Sequence, residues 1–300
     1  MPLVSMKDLL QSARDNRYAV GYFESWNLES LLAVADAAEL ARSPVIIGFN
    51  GGFLENPVRR FPEHLTHYAA LGRSVAQQAT VPMALLLNEA GRIATLIRGL
   101  ESGFNAVMYA SPSGGSYDEL VRETRCLVDA ARVHHGAVEG ELGELPWADR
   151  KSGTWGGGEK TDPETARKFV HQTGVDALAV AVGNVHVLET EKVSLDFPLL
   201  RSLCKAVPVP LVLHGGTGID REALREAVSL GITKVNVGTL LKRTWLNTVR
   251  TRLSSLEIEY SDPHELLGQG GGQDVLQEAR DCLREEIGHF LSILGSAGKA

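Results

Sequence analysis

Residues 210–239 read PLVLHGGTGIDREALREAVSLGITKVNVGT. An apolar run, Pro210–Leu213, ends at His214 and passes into the glycine turn Gly215–Gly218. An amphipathic stretch over Arg221–Leu230 follows, and a second apolar run, Thr233–Val237, ends at Gly238-Thr239. The order is strand, turn, helix, strand, turn. Strands that are apolar throughout are buried on both faces, and with a helix between them they belong to a parallel sheet covered by helices.

The same unit repeats toward the N-terminus. Further apolar, β-branched runs lie at Tyr18–Phe23, Pro44–Phe49, Met83–Leu87, Ala106–Ala110, Ala137–Leu142 and Ala177–Val182. With the two above they make eight. Helical patterns between them include Leu28–Ala41, Leu65–Gln78, Tyr117–Val133 and Pro163–Gln172. The last starts at Thr161-Asp162-Pro163-Glu164, with a capping side chain and a proline in the first turn. Eight strand–helix units in 300 residues favour an α/β fold closed as a (β/α)8 TIM barrel over an open doubly wound sheet. Ser5–Asn16 reads as an extra N-terminal helix. The chain is read as a single barrel domain over 1–300, with residues ~240–300 a helical C-terminal segment packing outside the barrel or against a partner subunit. GTWGGG (153–158) lies in a long loop after the fifth strand, of the length that is usually functional, and GQGGG (268–272) reads as a plain connection between helices.

Composition narrows the function classes. Hydrophobic residues are 44%, charged residues 22% and the net charge is -7, with no basic run, which argues against nucleic acid as a partner. The charged N-terminus MPLVSMKDLLQSARDN is unlike a signal peptide, and no apolar run has the ~20 residues of a membrane span. Cys126, Cys204 and Cys282 fit no metal or redox spacing and read as buried thiols in a reducing compartment. A cytoplasmic protein is expected.

In a (β/α)8 barrel the chemistry sits at the C-terminal ends of the strands. Those ends carry Glu24 and Asn27, Asn50-Gly51-Gly52, Asn88-Glu89, Glu139 and Glu141, Asn184 and His186, His214, and Asn236-Val237-Gly238-Thr239. Two histidines and several acids at one mouth are a plausible site for zinc or a similar divalent ion. Gly215, Gly216, Thr217 and Gly218 after strand seven, and Gly238 and Thr239 after strand eight, occupy the common phosphate position of this fold. There glycines admit the anion and a helix N-terminus adds partial positive charge. Tight helix–strand packing would favour the same glycines. Lys234 shares strand parity with Asn236, so it points inward; a structural lysine low in the barrel is favoured over a Schiff-base role.

In combination, AVGYFESWNLE (19–29), SPVII (43–47), VEGELG (138–143), TDPETARKFV (161–170), TGVDALAVAVGNVH (173–186), LVLHGGTG (211–218), ITKVNVGT (232–239) and GSAGKA (295–300) resemble the class II, zinc-dependent ketose-bisphosphate aldolases. The resemblance spans essentially the whole chain. It implies aldol chemistry on a phosphorylated ketose, with a metal polarising the carbonyl, and a homodimer or homotetramer. By position it makes His186 and His214 two of three zinc ligands and Glu141 an acid beside the metal. Thr217, Asn236 and Thr239 become phosphate or substrate contacts and Asn27 part of the mouth after strand one; Asn50, at the end of strand two, is counted with the substrate contacts from its strand-end position.

Strand three departs from that family. Where members usually read HLDHG, with a catalytic aspartate and a histidine ligand, this chain has Leu86-Leu87-Asn88-Glu89-Ala90. Glu24 stands for a usual asparagine, and Val187 for a usual glycine after His186. Glu89 can still offer an oxygen ligand, giving a metal set of Glu89, His186 and His214. Asn88 can hydrogen-bond a hydroxyl but has no proton to exchange near neutral pH. Either another acid acts in its place, from Glu24, Glu89, Glu141 or Asp149, the last in the loop after strand five, or the reaction is a different one. The expected substrate is a small phosphorylated sugar or keto acid, not a standard one. The rival is a non-catalytic paralogue that binds a sugar phosphate or a partner enzyme.

Overall fold

The computed structural model describes residues 3–111, 115–143, 146, 158–185, 193–257 and 261–300. Eight parallel strands close in sequence order into a barrel: β1 (Val20–Ser25), β2 (Val45–Asn50), β3 (Met83–Ala90), β4 (Ala106–Tyr109), β5 (Ala137–Leu142), β6 (Ala177–Val180), β7 (Leu211–Leu213) and β8 (Ile232–Val237). Among the described residues the helices are α1 (Met6–Asn16), α2 (Leu28–Ala41), α3 (Gly51–Glu55), α4 (Leu65–Gln78), α5 (Ile93–Ser102), α6 (Tyr117–Val133), α7 (Pro163–Thr173), α8 (Phe197–Ala206), α9 (Arg221–Leu230), α10 (Thr239–Ser254), α11 (Pro263–Leu266) and α12 (Val275–Ile293). This is the (β/α)8 barrel expected from the alternation of runs.

Strand parity divides the core in two. Inward-facing Val20, Tyr22, Ile46, Ala84, Leu86, Met108, Ala179 and Val212 fill the barrel, and Met6, Leu9, Leu10 and Ala13 of α1 cluster with them at its N-terminal end. The extra helix is thus a plug for the end opposite the strand C-termini. Ser5 caps it by accepting the Asp8 N–H. Outward-facing residues of the same strands, such as Phe23, Ile47, Leu85 and Leu87, form the larger core beneath the helices. The C-terminal helix α12 packs on α2 and α10 outside the barrel, with Phe290 set edge-on against Phe23 of β1 at 6.3 Å. GQGGG is less plain than its composition: Gly268 and Gly270 donate their N–H groups to Asp274, the cap of α12. The expectation of buried cysteines is corrected: Cys126 is exposed on α6, while Cys204 and Cys282 are half-buried, because each lies on a helix flank rather than its core stripe. No helix among the described residues is long and apolar enough to cross a membrane.

Candidate active site

The strand ends build one connected polar network. His214, following β7, is 1% exposed. Its backbone carbonyl accepts from Asn184 Nδ2 at 3.0 Å, which ties it to the end of β6. Its Nε2 lies 2.9 Å from Glu139 Oε1 on β5. The other oxygen of Glu139 meets Lys234 Nζ of β8 at 2.7 Å, and Lys234 also donates to Asn236 Oδ1 at 2.7 Å. On the solvent side, His214 Nδ1 faces Glu89 Oε1 at 3.4 Å and Glu141 Oε1 at 3.9 Å. Asn50 Nδ2 donates to Glu89 Oε2 at 2.8 Å and faces Glu24 Oε2 at 3.4 Å. Lys242, in the first turn of α10, closes the series with an ion pair to Glu24.

Local backbone sets these positions. Glu89 has φ 53°, left-handed for a residue with a side chain, and the pairing of β3 with β4 slips between Leu87 and Ala90. Such strain persists only where surrounding contacts hold it. Here it aims the Glu89 carboxylate back across the mouth at Asn50 and His214. Gly215 (φ 70°) is left-handed as well, and a Cβ there would lie 2.4 Å from Val185 O. A Cβ on Gly216 would meet Val235 and Asn236 O within 2.9 Å, so this glycine serves the turn's packing on β8.

A cavity opens beside this network, between β1–β3 and the turns after β7 and β8. Of the residues expected from sequence, Asn50, Asn88, Glu89, Gly215, Thr217, Asn236, Gly238 and Thr239 line it. Asn88 is 1% exposed and its Oδ1 has no hydrogen-bond partner among the described residues. Thr217 Oγ1 accepts the Leu240 N–H at the start of α10, whose Gly238 cap offers no side chain. Gly216 and Gly218 stand behind the cavity wall in a 3₁₀ turn, and Asn27 is committed elsewhere. The Asn27 side chain accepts the Ser30 N–H in a capping box that starts α2. His186 and Asp149 lie outside the described residues.

Sequence reasoning placed Glu139 at the end of strand five without giving it a role, and passed over Lys242. Glu139-Gly140-Glu141 on β5 carries its own signal, since residues two apart point the same way. Lys242 follows Thr239 by three, on the same helix face as the expected phosphate turn.

Charge is concentrated here. Burial disfavours a charged His214, but the hydrogen bonds and charges of Glu139, Glu89 and Glu141 outweigh it and carry its pKa up to about 9. Burial, helped by the charges of Glu89 and Glu139 against His214 and Lys234, raises Glu141 to about 7. Donor chemistry suits a divalent ion: two ligands on a tetrahedral ion at ~2.1 Å stand about 3.4 Å apart. His214 Nδ1 and Glu89 Oε1 are separated by 3.4 Å. Glu139 on Nε2 supplies the carboxylate that commonly orients a ligating imidazole. Among the described residues no three His, Cys, Asp or Glu side chains complete such a set.

Comparison with known proteins identifies the family. A family model described as fructose-bisphosphate aldolase class II matches residues 4–299. The chain is 32% identical to the probable fructose-bisphosphate aldolase of Bacillus subtilis (strain 168) over the full length of both. It is also 32% identical to the fructose-bisphosphate aldolase of Thermus caldophilus, over 99% of this chain and 100% of that one. The crystal structure of the YdjI aldolase from Escherichia coli K12 superposes with a TM-score of 0.82 at 31% identity, covering 99% of each chain. A complete barrel, a histidine and acids at its mouth, and full-length matches on sequence and structure lead to one conclusion: the chain belongs to the class II fructose-bisphosphate aldolase family and is an aldehyde-lyase of that type.

Proposed function

We propose that the protein is a metal-dependent aldolase that cleaves or forms a carbon–carbon bond in a phosphorylated or polyhydroxylated keto compound, with a substrate other than the family's standard one. The observation that carries this is the convergence of Glu89 and Glu141 on His214 Nδ1 beside a cavity whose far wall is Gly215, Thr217, Gly238 and Thr239. His214 and Glu89, with His186, would hold a divalent ion, most simply Zn2+. That ion would supply Lewis-acid polarisation of the substrate carbonyl. The chain's own residues do the rest. Gly215, Thr217, Asn236, Gly238 and Thr239 receive the phosphate at the positive end of α10. Asn88 presents its unbonded amide oxygen to a substrate hydroxyl. Glu141, poised by burial near neutrality, takes or returns a proton at its carboxylate in place of the family aspartate. Family membership also supports a cytoplasmic homodimer or homotetramer, which sedimentation would check.

Metal analysis after reconstitution, paired with a retro-aldol screen of ketose phosphates, tests the reading. Bound divalent ion in the wild type, lost in Glu89→Ala together with turnover, is expected. No bound ion, and no change of metal content on Glu89→Ala, would sink it. Asn88 is the residue on which the catalytic reading turns: tight ligand binding with no turnover across the screen would overturn it.

A further inference from the structure

The two walls of the cavity differ in charge. The wall after β7 and β8 is glycine, threonine and the start of α10. The wall from β1–β3 presents the carboxylates of Glu24 and Glu89. Among the described lining residues Lys242 is the one cation, and its ammonium is already held by Glu24. It also lies 4.1 Å from the centroid of the Phe53 ring, a second attraction fixing it in place. Glu24 is only 8% exposed, so a substrate anion that drew Lys242 away would break the ion pair and leave a buried carboxyl that must take up a proton or stand uncompensated. Asn50 adds no free donor, since its amide already serves Glu89 at 2.8 Å and faces Glu24 at 3.4 Å. Gly238 makes room for this arrangement: a Cβ there would lie 3.1 Å from Glu24 Oε2.

Resting on the reading above, in which the β7–β8 wall grips one phosphate, we infer that the Glu24–Lys242 pair determines specificity by closing the opposite wall to a second anion. The substrate is then a keto monophosphate whose far end is hydroxylated and uncharged. Carboxylates and amide oxygens accept hydrogen bonds from hydroxyls, and carboxylates repel phosphate or carboxylate groups, which is how a site rejects one partner while admitting another. The unbonded Asn88 Oδ1 adds an acceptor for the same hydroxylated segment.

Calorimetric binding of three non-cleavable probes tests this: a hexitol, a hexitol monophosphate and a hexitol 1,6-bisphosphate. The wild type is expected to bind the monophosphate at least ~10-fold more tightly than the bisphosphate, a difference of ~1.4 kcal/mol. Glu24→Gln, which frees the Lys242 ammonium, narrows that ratio below ~3-fold or inverts it, and Glu24→Gln with Lys242→Met restores discrimination. Glu24→Asn serves as the second variant if thermal melts show the glutamine form unfolded. A wild type that binds both phosphates equally, or a Glu24 variant with an unchanged ratio, overturns the assignment of the pair alone. Failure of either phosphate to bind better than free hexitol overturns the phosphate wall first, and the inference with it.

Discussion

Two glutamate–lysine pairs stand in one barrel mouth, and they hold their protons in opposite ways. Glu139 and Lys234 are both 0% exposed and 2.7 Å apart. Glu24 and Lys242 pair at the rim, with Lys242 one-third exposed. Burial pushes both carboxylates toward the neutral form. For Glu139 it is outweighed by Lys234 and by the hydrogen bond and charge of His214, so the carboxyl is held below its ordinary value. For Glu24 burial prevails over Lys242 and the Asn50 hydrogen bond, with the Glu89 charge adding to it, and the carboxyl is pushed up. The difference is the number of partners. Two cationic partners fix a charge; a single one, one-third exposed and opposed by a nearby carboxylate, does not.

The most forceful way to break this comparison is Lys234→Met. It strands Glu139 as a buried anion against His214 alone, and removing one partner of a buried pair costs about 3–5 kcal/mol. A large fall in the denaturant midpoint at unchanged slope is expected, with most of the loss recovered in Lys234→Met/Glu139→Gln. A single variant as stable as wild type would mean that His214 alone compensates Glu139, and the two pairs would no longer differ in kind.

Next in size is the effect on metal affinity. Glu139 orients His214 through Nε2, and losing such a supporting carboxylate typically weakens metal binding about 10–100-fold. Glu139→Gln should therefore lower affinity in a chelator competition by that factor, and Glu24→Gln, which touches neither His214 nor Glu89 directly, by much less. Equal losses would show that charge across the whole mouth, not the Glu139–His214 contact, governs the ion.

Much of this was legible in sequence, for identifiable reasons. The eight apolar runs and the helices Leu28–Ala41, Tyr117–Val133 and Arg221–Leu230 appear at the read boundaries or within a few residues of them, because a doubly buried strand reads as a mostly apolar run and the helix starts carry their own caps. Tight packing as the reason for glycine holds at Gly216, and the anion-cradle reading is compatible with Gly215, so one motif carries both pressures. The capping role of Asn27 was not legible, because an asparagine at a strand end and an asparagine capping the next helix look identical until the side chain is placed. The network through Asn50, Glu89 and Glu24 was not legible, since it depends on Glu89 adopting φ 53° and turning back across the mouth. No local pattern announces a left-handed glutamate.

A smaller effect concerns pH, and it sharpens the buried side of the comparison. In the metal-free protein Glu141 has a pKa of about 7, above its ordinary 4.5, and His214 of about 9, above its ordinary 6.5. Both folded-state values are raised, so the folded form binds more protons than the unfolded one across these windows, and stability falls as pH rises through them. The melting temperature of chelator-treated protein should drop by several degrees between about pH 5 and about pH 9. Glu141→Gln should flatten the lower part of that drop and leave the upper part, which belongs to His214. A profile that stays level, or a Glu141→Gln effect confined to alkaline pH, would contradict the assignment.

The smallest expected effect is Lys242→Met, and it is the sharpest test of the rim pair. Lys242 is partly solvated, and exposed pairs contribute ~0–1 kcal/mol. Glu24, already pushed toward the neutral form, answers the loss by keeping its proton rather than by standing as a buried charge. The methionine retains the apolar stem against Phe53 and Trp26, over which the ammonium sits at 4.1 and 5.9 Å. A denaturant midpoint close to wild type is therefore expected near neutral pH. Because a proton replaces the ammonium, the variant's deficit should deepen as pH rises and Glu24 is forced to ionise without its partner. A loss as large as that of Lys234→Met, already present at pH 6, would place Glu24 among the permanent buried charges and erase the distinction between the two pairs.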